Sequence, residues 1–142
     1  MNKLQTINLK EILAELLNAW NDHDAERVAS FYAPEYTGTD AGEPGEQHGP
    51  AGIRQTVQGY LAAFPDLTIV QGQAVLCGDS AAIQMTVRGT HRGNIMHIPA
   101  TGRPTEIQGV AFLRFDQARI IQASYLWDVA GFLRSIGLLP DL

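Results

Sequence analysis

The stretch LTIVQGQAVLCGDSAAIQMTVRGTH, residues 67–91, decides the fold because its apolar residues follow a period of two. Every second residue from Ile83 to Val87 is apolar and the residues between them are polar, which is typical of a strand with one buried face. Gly78-Asp79 separates two such runs and predicts a tight turn. The stretch therefore predicts two antiparallel strands, over 67–76 and 81–91.

Two helices are predicted upstream of these strands. The first has one apolar face, because large apolar residues recur every three or four positions. They are Leu9, Ile12, Leu13, Leu16, Leu17 and Trp20. The second helix is short and is predicted from Asp24, a favoured N-cap residue, to Tyr32, with Pro34 ending it. A brief strand at 36–39 and then a glycine-rich irregular loop over 40–49 are expected next.

A third helix is predicted between Pro50, which suits a first helical turn, and Pro65, which ends it. Beyond the first hairpin, Thr105–Phe115 and Arg119–Trp127 predict a second hairpin, and a last helical turn is predicted over 130–136. Helices thus precede a meander of strands, which predicts an α+β fold with the helices on one face of the sheet. Because long twisted strands curl, we expect a cone with an apolar interior that can hold a ligand.

Composition favours one globular domain spanning residues 1–142. The chain is 45% hydrophobic and 18% charged, with a net charge of −5 and ten scattered basic residues, which excludes a nucleic-acid-binding stripe. No apolar run could span a membrane and no signal peptide is recognisable, so a cytoplasmic location is expected. One cysteine excludes a disulfide framework, and the four histidines lack metal-ligand spacing, so no metal is expected.

Four stretches in a fixed order carry a resemblance to a known family. They are NAWN at 18–21 with FYAPEY at 31–36, GPAGI at 49–53 with FPDL at 64–67, GTHRG at 89–93 with IPATGR at 98–103, and WDVAGFLR at 127–134 with IGLLP at 136–140. Together they resemble the SnoaL-like polyketide cyclases of the NTF2-like superfamily. The resemblance implies a cone formed by a curved antiparallel or mixed sheet with a short C-terminal helix. It also implies a homodimer through the open sheet and ring closure by aldol condensation without metal or organic cofactor.

By the same resemblance, the family's catalytic carboxylate falls at Tyr125 and its histidine near Ala111. A tyrosine with the ordinary pKa near 10 is a poor base at neutral pH. We therefore consider three titratable side chains near one end of the cone as catalytic candidates: Asp128, His91 and Tyr125. Residues expected to line the pocket are Trp127, Trp20, Tyr60, Tyr32 and Ala111.

Each catalytic candidate has a structural alternative. Asp128 is either a buried acid or base, or the N-cap of the last helix. His91 shares the face of the predicted interior and either exchanges protons near pH 7 or bonds loop backbone. The Tyr125 hydroxyl either polarises a carbonyl group or belongs to an aromatic ring that fills the cone.

The sequence thus predicts a cyclase- or isomerase-type enzyme that performs metal-free acid/base chemistry on a small, largely apolar carbonyl compound. A non-catalytic module for ligand binding or dimerisation is the first alternative. The second is an epoxide hydrolase of the same fold, in which Asp128 and Arg88 would belong to an Asp–Arg–Asp arrangement. A homodimer is expected, with neither nucleic acid nor membrane as a partner.

Overall fold

The computed structural model describes residues 3–142, with side chains from Leu9 onward. Its elements are α1 (Lys3–Asn21), α2 (Ala25–Ala29), β1 (Tyr32–Asp40), β2 (Glu46–His48), α3 (Gly49–Ala63), β3 (Thr68–Cys77), β4 (Ser80–Thr90), β5 (Pro104–Asp116), β6 (Arg119–Trp127) and α4 (Val129–Ser135). Three of the four described helices lie within residues 3–63, and the strands β3 to β6 follow them in succession. The predicted α+β class is confirmed.

One curved six-stranded sheet has the order β2-β1-β6-β5-β4-β3. Strand β1 runs parallel to β6, and every other neighbouring pair is antiparallel, so the sheet is mixed. Because β1 and β6 are parallel neighbours, the C-terminal ends of these two interior strands lie side by side. Asp40, the last residue of β1, is level with Tyr125 of β6.

The helices cover one face of the sheet and enclose the core. Helix α1 packs on β3, α3 on β1 and β2, and α4 on β5. The apolar face of α1 is buried as predicted, with Leu13 and Leu16 at most 5% exposed. From the sheet, alternate residues such as Ile83 and Met85 of β4 face the helices. This arrangement confirms the expected cone with its helical cover.

Strand β1 begins earlier than predicted, at the expense of α2. Asp24 caps α2 as expected, since its Oδ1 accepts a hydrogen bond from the backbone N–H of Arg27 (3.0 Å). The helix ends at Ala29, however, and Tyr32 lies in β1, paired with Ile120. The reason is local: Ala33 precedes a proline, and that position strongly disfavours helical backbone. The expected helix to Tyr32 is therefore wrong.

The loop predicted over 40–49 contains a short strand. Residues Glu46–His48 form β2 and pair antiparallel with β1, with Gly38 opposite Gln47. The turn between the strands uses Gly45, whose φ of +78° is accessible to glycine at little cost. The sequence did not reveal β2 because three residues are too few to display a period.

Edge strand β3 is held at its start by the segment that follows α1. Asn21 donates from Nδ2 to the carbonyl of Ile69 (3.0 Å) and accepts from the Ile69 N–H at Oδ1 (2.7 Å). Nearby, His23 Nε2 is 2.7 Å from the carbonyl oxygen of Leu67. The turn after α1 thereby fixes the helix to the sheet.

Candidate active site

A cavity of about 80 Å³ lies inside the cone, between the inner face of the sheet and the helices. Ligand pockets for larger molecules are roughly 300–1,000 Å³. The cavity therefore holds a small organic fragment, and a larger molecule requires the lining side chains to move apart.

The cavity has a polar end and an apolar end. Its polar groups come from the side of β1, β2, β6 and α3, and they are Tyr32, Asp40, Gln47, Thr56, Tyr60, Tyr125 and Trp127. The other end is apolar and includes Leu67, Ile69, Met85, Val87, Ile107 and Phe132. A ligand with one polar group and a hydrocarbon body would therefore be oriented by the cavity.

A short strap between β4 and β5 closes part of the apolar end. Ile95 and Ile98 form an isolated antiparallel bridge, and the two residues between them, Met96 and His97, have positive φ. Ile95 and Met96 line the cavity, whereas His97 is exposed. The strap residues thus contribute apolar surface above the sheet.

Asp40 is the one carboxylate among the lining residues of the described chain, and it is only 5% exposed. Its Oδ1 accepts hydrogen bonds from the Gly42 N–H (2.7 Å) and from the Tyr60 hydroxyl (2.8 Å). Its Oδ2 accepts one longer bond, from Trp127 Nε1 (3.3 Å). Since Oδ1 already has two donors, Oδ2 is the oxygen with more capacity to accept a proton.

Burial raises the pKa of the Asp40 carboxyl, because the apolar surroundings disfavour its charged form. The hydrogen bonds from Gly42, Tyr60 and Trp127 oppose this effect, but burial is the larger cause. A carboxyl group in this position has a pKa closer to neutrality than an ordinary aspartate, which suits proton exchange with a weak carbon acid.

The hydroxyls of Tyr32 and Tyr125 are hydrogen-bonded to each other in the same part of the cavity. Burial raises the pKa of both phenols, so both stay protonated at neutral pH. Two hydroxyls carry two protons, and their mutual bond uses one. The second proton is available to a ligand oxygen.

A further polar chain runs along the β2 side of the cavity. The buried Tyr36 hydroxyl donates to Gln47 Oε1 (2.8 Å), and Gln47 Nε2 donates to Thr56 Oγ1 (3.1 Å). Thr56 Oγ1 in turn lies 3.0 Å from Glu43 Oε2 and 3.2 Å from the Gly52 carbonyl oxygen. Gly38 makes this chain possible, because a Cβ there would lie 2.0 Å from the Tyr36 hydroxyl.

Asp128 is exposed and does not line the cavity. It is the N-cap of α4, where its Oδ1 accepts from the Gly131 N–H (2.9 Å). Trp127 points inward, so the strand alternation turns the next residue outward. Of the two interpretations of Asp128, the structure supports the helix cap.

His91 is fully buried but lies behind the cavity wall. Its ring packs against Phe64 and Phe132, with centroids 5.9 and 5.5 Å away, and these two rings line the cavity in its place. Its Nδ1 is 3.0 Å from Thr101 Oγ1, while Nε2 has no hydrogen-bond partner. The side chain thus bonds a loop hydroxyl, while the backbone N–H of His91 donates to the loop carbonyl of Arg103 (2.9 Å). Of the two interpretations of His91, the structure supports the histidine that is bonded to the loop backbone.

Four of the five residues expected in the pocket line it: Trp127, Trp20, Tyr60 and Tyr32. Tyr60 lies between the two tryptophans, with ring centroids 6.5 Å from Trp20 and 6.4 Å from Trp127. Ala111 is buried opposite Tyr125 but does not reach the cavity. Its methyl group is too short to pass the larger ring beside it.

The arrangement needed for an epoxide hydrolase is absent from the described residues. Arg88 lies on the outer face of β4, exposed, with its Nη2 3.5 Å from Glu106 Oε1. Asp128 caps α4, so the two side chains do not meet in the cavity, and no arginine lines it. That alternative is therefore wrong in the form the sequence suggested.

No three or more His, Cys, Asp or Glu side chains are grouped as metal ligands within residues 3–142. No helix in that part of the chain is long and apolar enough to cross a membrane.

Sequence reasoning missed Asp40, the central residue of the site. The motif Asp40-Ala41-Gly42 resembles an ordinary turn, and the carboxylate does make the Asx-type bond to Gly42 that such turns use. The signal that could have revealed Asp40 was the alternation of inward-facing and outward-facing residues along the strand. Tyr36 is an inward-facing aromatic residue, and Asp40 lies an even number of positions further along the same strand.

A curved sheet with helices over one face, and a cavity lined by a buried carboxylate and two hydrogen-bonded phenols, defines a class: small cone-shaped α+β proteins with an internal cavity. The family model of the SnoaL-like polyketide cyclases matches residues 10–136. The chain therefore belongs to that family, and its fold is NTF2-like.

Solved structures resemble the chain over nearly its whole length. AclR from Streptomyces galilaeus, a hydroxylase candidate, is 27% identical with a TM-score of 0.82, covering 94% of this chain and 87% of that one. IdmH from Streptomyces antibioticus, a polyketide cyclase candidate, is 29% identical with a TM-score of 0.77, covering 91% and 98%. TsrD from Streptomyces laurentii is 24% identical, has a TM-score of 0.84, covers 98% and 99%, and shows the fold alone. No curated protein matches the chain.

Proposed function

We propose that this protein is an enzyme that enolises a small, largely apolar carbonyl compound, with Asp40 as the general base. The observation that carries the proposal is the buried Asp40 carboxyl, with its raised pKa, in a cavity that also holds two hydrogen-bonded phenols. The catalytic role expected for Tyr125 is kept. Asp40 takes the role for which Asp128 and His91 were candidates.

The step we propose moves one proton and one electron pair. Asp40 Oδ2 takes a proton from the carbon next to the substrate carbonyl, and the electrons of that C–H bond become an enolate. The free hydroxyl proton of the Tyr32–Tyr125 pair donates a hydrogen bond to the oxygen on which the charge develops. Returning the proton from Asp40 to another carbon gives an isomer. Alternatively, the enolate carbon attacks a second carbonyl of the same molecule and closes a ring, and the alkoxide formed there takes the proton back from Asp40.

Three features support this assignment of roles. The polar end of the cavity places the carboxylate and the phenol pair on neighbouring parallel strands, with Asp40 level with Tyr125. The raised pKa of both phenols keeps them as donors. The apolar end would hold the hydrocarbon part of the substrate.

Exchange of carbon-bound protons tests the proposal without knowledge of the natural substrate. We would follow the NMR signal of the α-protons of 4-methylcyclohexanone in D₂O with the native protein and with Asp40→Asn. General-base catalysis contributes about 10²–10⁴-fold, so Asp40→Asn should lose an enhancement of that order. Asp128→Asn is the matched control and should keep the native rate. Equal rates for the native protein and Asp40→Asn, or no exchange above buffer with either, would contradict the proposal.

A non-catalytic binding module remains the second candidate, and the small volume of the cavity favours it. It predicts that the ketone binds to the native protein, and to Asp40→Asn with similar affinity, while neither accelerates exchange. The same samples therefore distinguish the two candidates, because ligand binding and exchange are read from separate NMR signals.

We also propose that the outer face of the sheet pairs with a second copy of the chain. This face carries exposed apolar side chains, with Phe112 at 52% and Leu126 at 54% exposure, beside uncharged polar residues such as Thr86 and Gln108. Exposed apolar side chains on one face are typical of surfaces that associate with another protein. Light scattering should give a dimer mass for the native protein and a monomer mass for Phe112→Arg; a native monomer would contradict this proposal.

A further inference from the structure

Gln47 lines the cavity, and its amide is fixed in place by one hydrogen bond at each end. The side chain is 6% exposed and lines the cavity. Its Oε1 accepts one bond, from the Tyr36 hydroxyl, and its Nε2 donates one bond, to Thr56 Oγ1. A primary amide has two N–H donors and two acceptor lone pairs. One donor and one acceptor position of Gln47 are therefore left for another molecule.

The Gln47 amide is held by groups on two elements, and one of these groups is bonded in turn by a third segment. Tyr36 belongs to β1, Thr56 to α3, and Glu43, which bonds Thr56, to the turn before β2. An amide held at both ends cannot rotate freely to satisfy its remaining groups. Such a preorganised group binds a ligand oxygen without a further loss of side-chain freedom.

The position of this amide relative to Asp40 is set by the strand register. Gln47 lies opposite Gly38, and Asp40 is two residues further along the same strand and on the same face. Diagonal neighbours of this kind are roughly 7–8 Å apart. Gly38 contributes no side chain, and the space above it is occupied by the Tyr36 hydroxyl. Carboxylate and amide thus belong to one polar end of the cavity, several carbon atoms apart.

We propose that Gln47 is a specificity-determining residue that binds a second oxygen of the substrate, a hydroxyl or carbonyl group several carbons from the carbonyl that is enolised. This rests on the proposed function, because Asp40 defines where the reacting carbon lies. The substrate class is then a hydroxyketone or a dicarbonyl compound with a hydrocarbon body.

Two matched ligands test the subsite. 4-Hydroxycyclohexanone and 4-methylcyclohexanone differ by one hydroxyl in place of a methyl group, and their dissociation constants are measured by NMR titration. The quantity compared is the ratio of the two constants in each variant, which cancels the hydration of the free ligands. Because Gln47→Met loses one neutral hydrogen bond to the hydroxyl, its preference for 4-hydroxycyclohexanone over 4-methylcyclohexanone should fall by about three- to tenfold.

Gln108→Met is the matched control, because Gln108 also bonds a threonine but lies on the outer face of the sheet. It should keep the native ratio. If Gln47→Met does not fold, Thr56→Val releases the amide and should lower the preference for the hydroxyketone, while Thr56→Ser should keep it.

The outcomes separate this inference from the proposed function. An unchanged ratio in Gln47→Met, or in Thr56→Val where Gln47→Met fails to fold, overturns the Gln47 subsite. The proposed function still stands in that case if 4-methylcyclohexanone exchanges its α-protons with the native protein but not with Asp40→Asn. A changed ratio together with native-level exchange in Asp40→Asn keeps the amide as a ligand-binding group and overturns the base.

Discussion

Two aspartates stand at the ends of two parallel neighbouring strands and have opposite environments. Asp40 ends β1, and Asp128 follows the last residue of β6. Each accepts a hydrogen bond from a nearby backbone N–H, that of Gly42 in one case and of Gly131 in the other. Only Asp40 is buried in the cavity, whereas Asp128 is exposed at the start of α4.

The two environments differ because Asp40 and Asp128 occupy opposite faces of their strands. Inward residues of β6 include Tyr125 and Trp127, so position 128 turns outward, while Tyr36 and Asp40 of β1 both face inward. The same residue type, with the same kind of backbone bond, is a helix cap on one strand and a desolvated carboxyl group on the other. Whether an aspartate at a strand end is buried or exposed therefore depends on the face of the strand that it occupies, and its neighbours in sequence do not reveal this.

The largest expected effect, after loss of Asp40 itself, comes from the phenol beside it. Tyr125→Phe removes a hydroxyl from the pair that would stabilise the enolate, and loss of such a donor costs about 10²-fold or more in rate. We expect that decrease in α-proton exchange. Tyr36→Phe is the control, since its hydroxyl bonds Gln47, and it should lose less than about tenfold. Similar losses in both variants would contradict the role of Tyr125.

Stability as a function of pH should distinguish Asp40 from an ordinary aspartate. Its pKa is raised in the folded protein, so folding favours the protonated form. The native protein should therefore gain stability relative to Asp40→Asn as pH falls through the folded pKa towards the unfolded value, and lose it as pH rises. At every pH, Asp40→Asn should also lose about 1–3 kcal/mol in the free energy of unfolding, because the asparagine amide leaves Trp127 Nε1 without its acceptor.

Urea unfolding at a series of pH values measures this difference. A difference between native protein and Asp40→Asn that does not vary with pH would show that the carboxyl group is not desolvated. Asp128→Asn is the control, because it makes the same substitution at an exposed aspartate.

Loss of the Asp128 cap should cost stability and leave exchange unchanged. Asp128→Ala removes the acceptor for the Gly131 N–H, and loss of an N-cap side chain costs about 1 kcal/mol. Asp128→Ser keeps an oxygen at the cap and should restore most of the loss. A large fall in the rate of α-proton exchange with either variant would show that Asp128 takes part in the reaction and is more than a helix cap.

The smallest effect is expected at a third aspartate, Asp66, whose pH dependence has the opposite sign. Its carboxylate accepts from the backbone N–H and the hydroxyl of Thr90, both at 2.7 Å, and these bonds lower its pKa. Its contribution to stability is present above the unfolded pKa and is lost as pH falls through the folded value. Because Asp66 is exposed, we expect Asp66→Asn to shift the midpoint of urea unfolding only slightly, and only above about pH 4. A larger effect in acid than at neutral pH would contradict this assignment.

The sequence allowed most of the fold to be predicted, because the long elements display clear periods. The strand Arg119–Trp127 has the predicted bounds, and α3 (Gly49–Ala63) starts one residue before Pro50 and ends before Pro65. The errors concern short elements: α2 was expected to continue to Tyr32, and β2 was not expected at all. In a segment of three to five residues, pairing and backbone restrictions decide the structure, and periodicity carries little information.

The site was less predictable than the fold. The aromatic residues Trp20, Tyr60 and Trp127 were expected in the pocket because large rings on apolar faces point to the interior, and they line it. The position of a carboxylate depends on the face of one terminal strand residue, and Asp40 was assigned to a loop. Its pairing with Tyr60 and Trp127 joins residues 20 and 87 positions apart, which no local pattern indicates.

Asn21 has a consequence for how this protein behaves at high concentration. Strand β3 is an edge strand, and an unpaired edge is a template on which other chains can add as strands. By bonding both the N–H and the carbonyl of Ile69, the amide of Asn21 takes the place that an incoming backbone would occupy. One side chain thereby makes these two backbone groups unavailable to a strand added at the start of that edge.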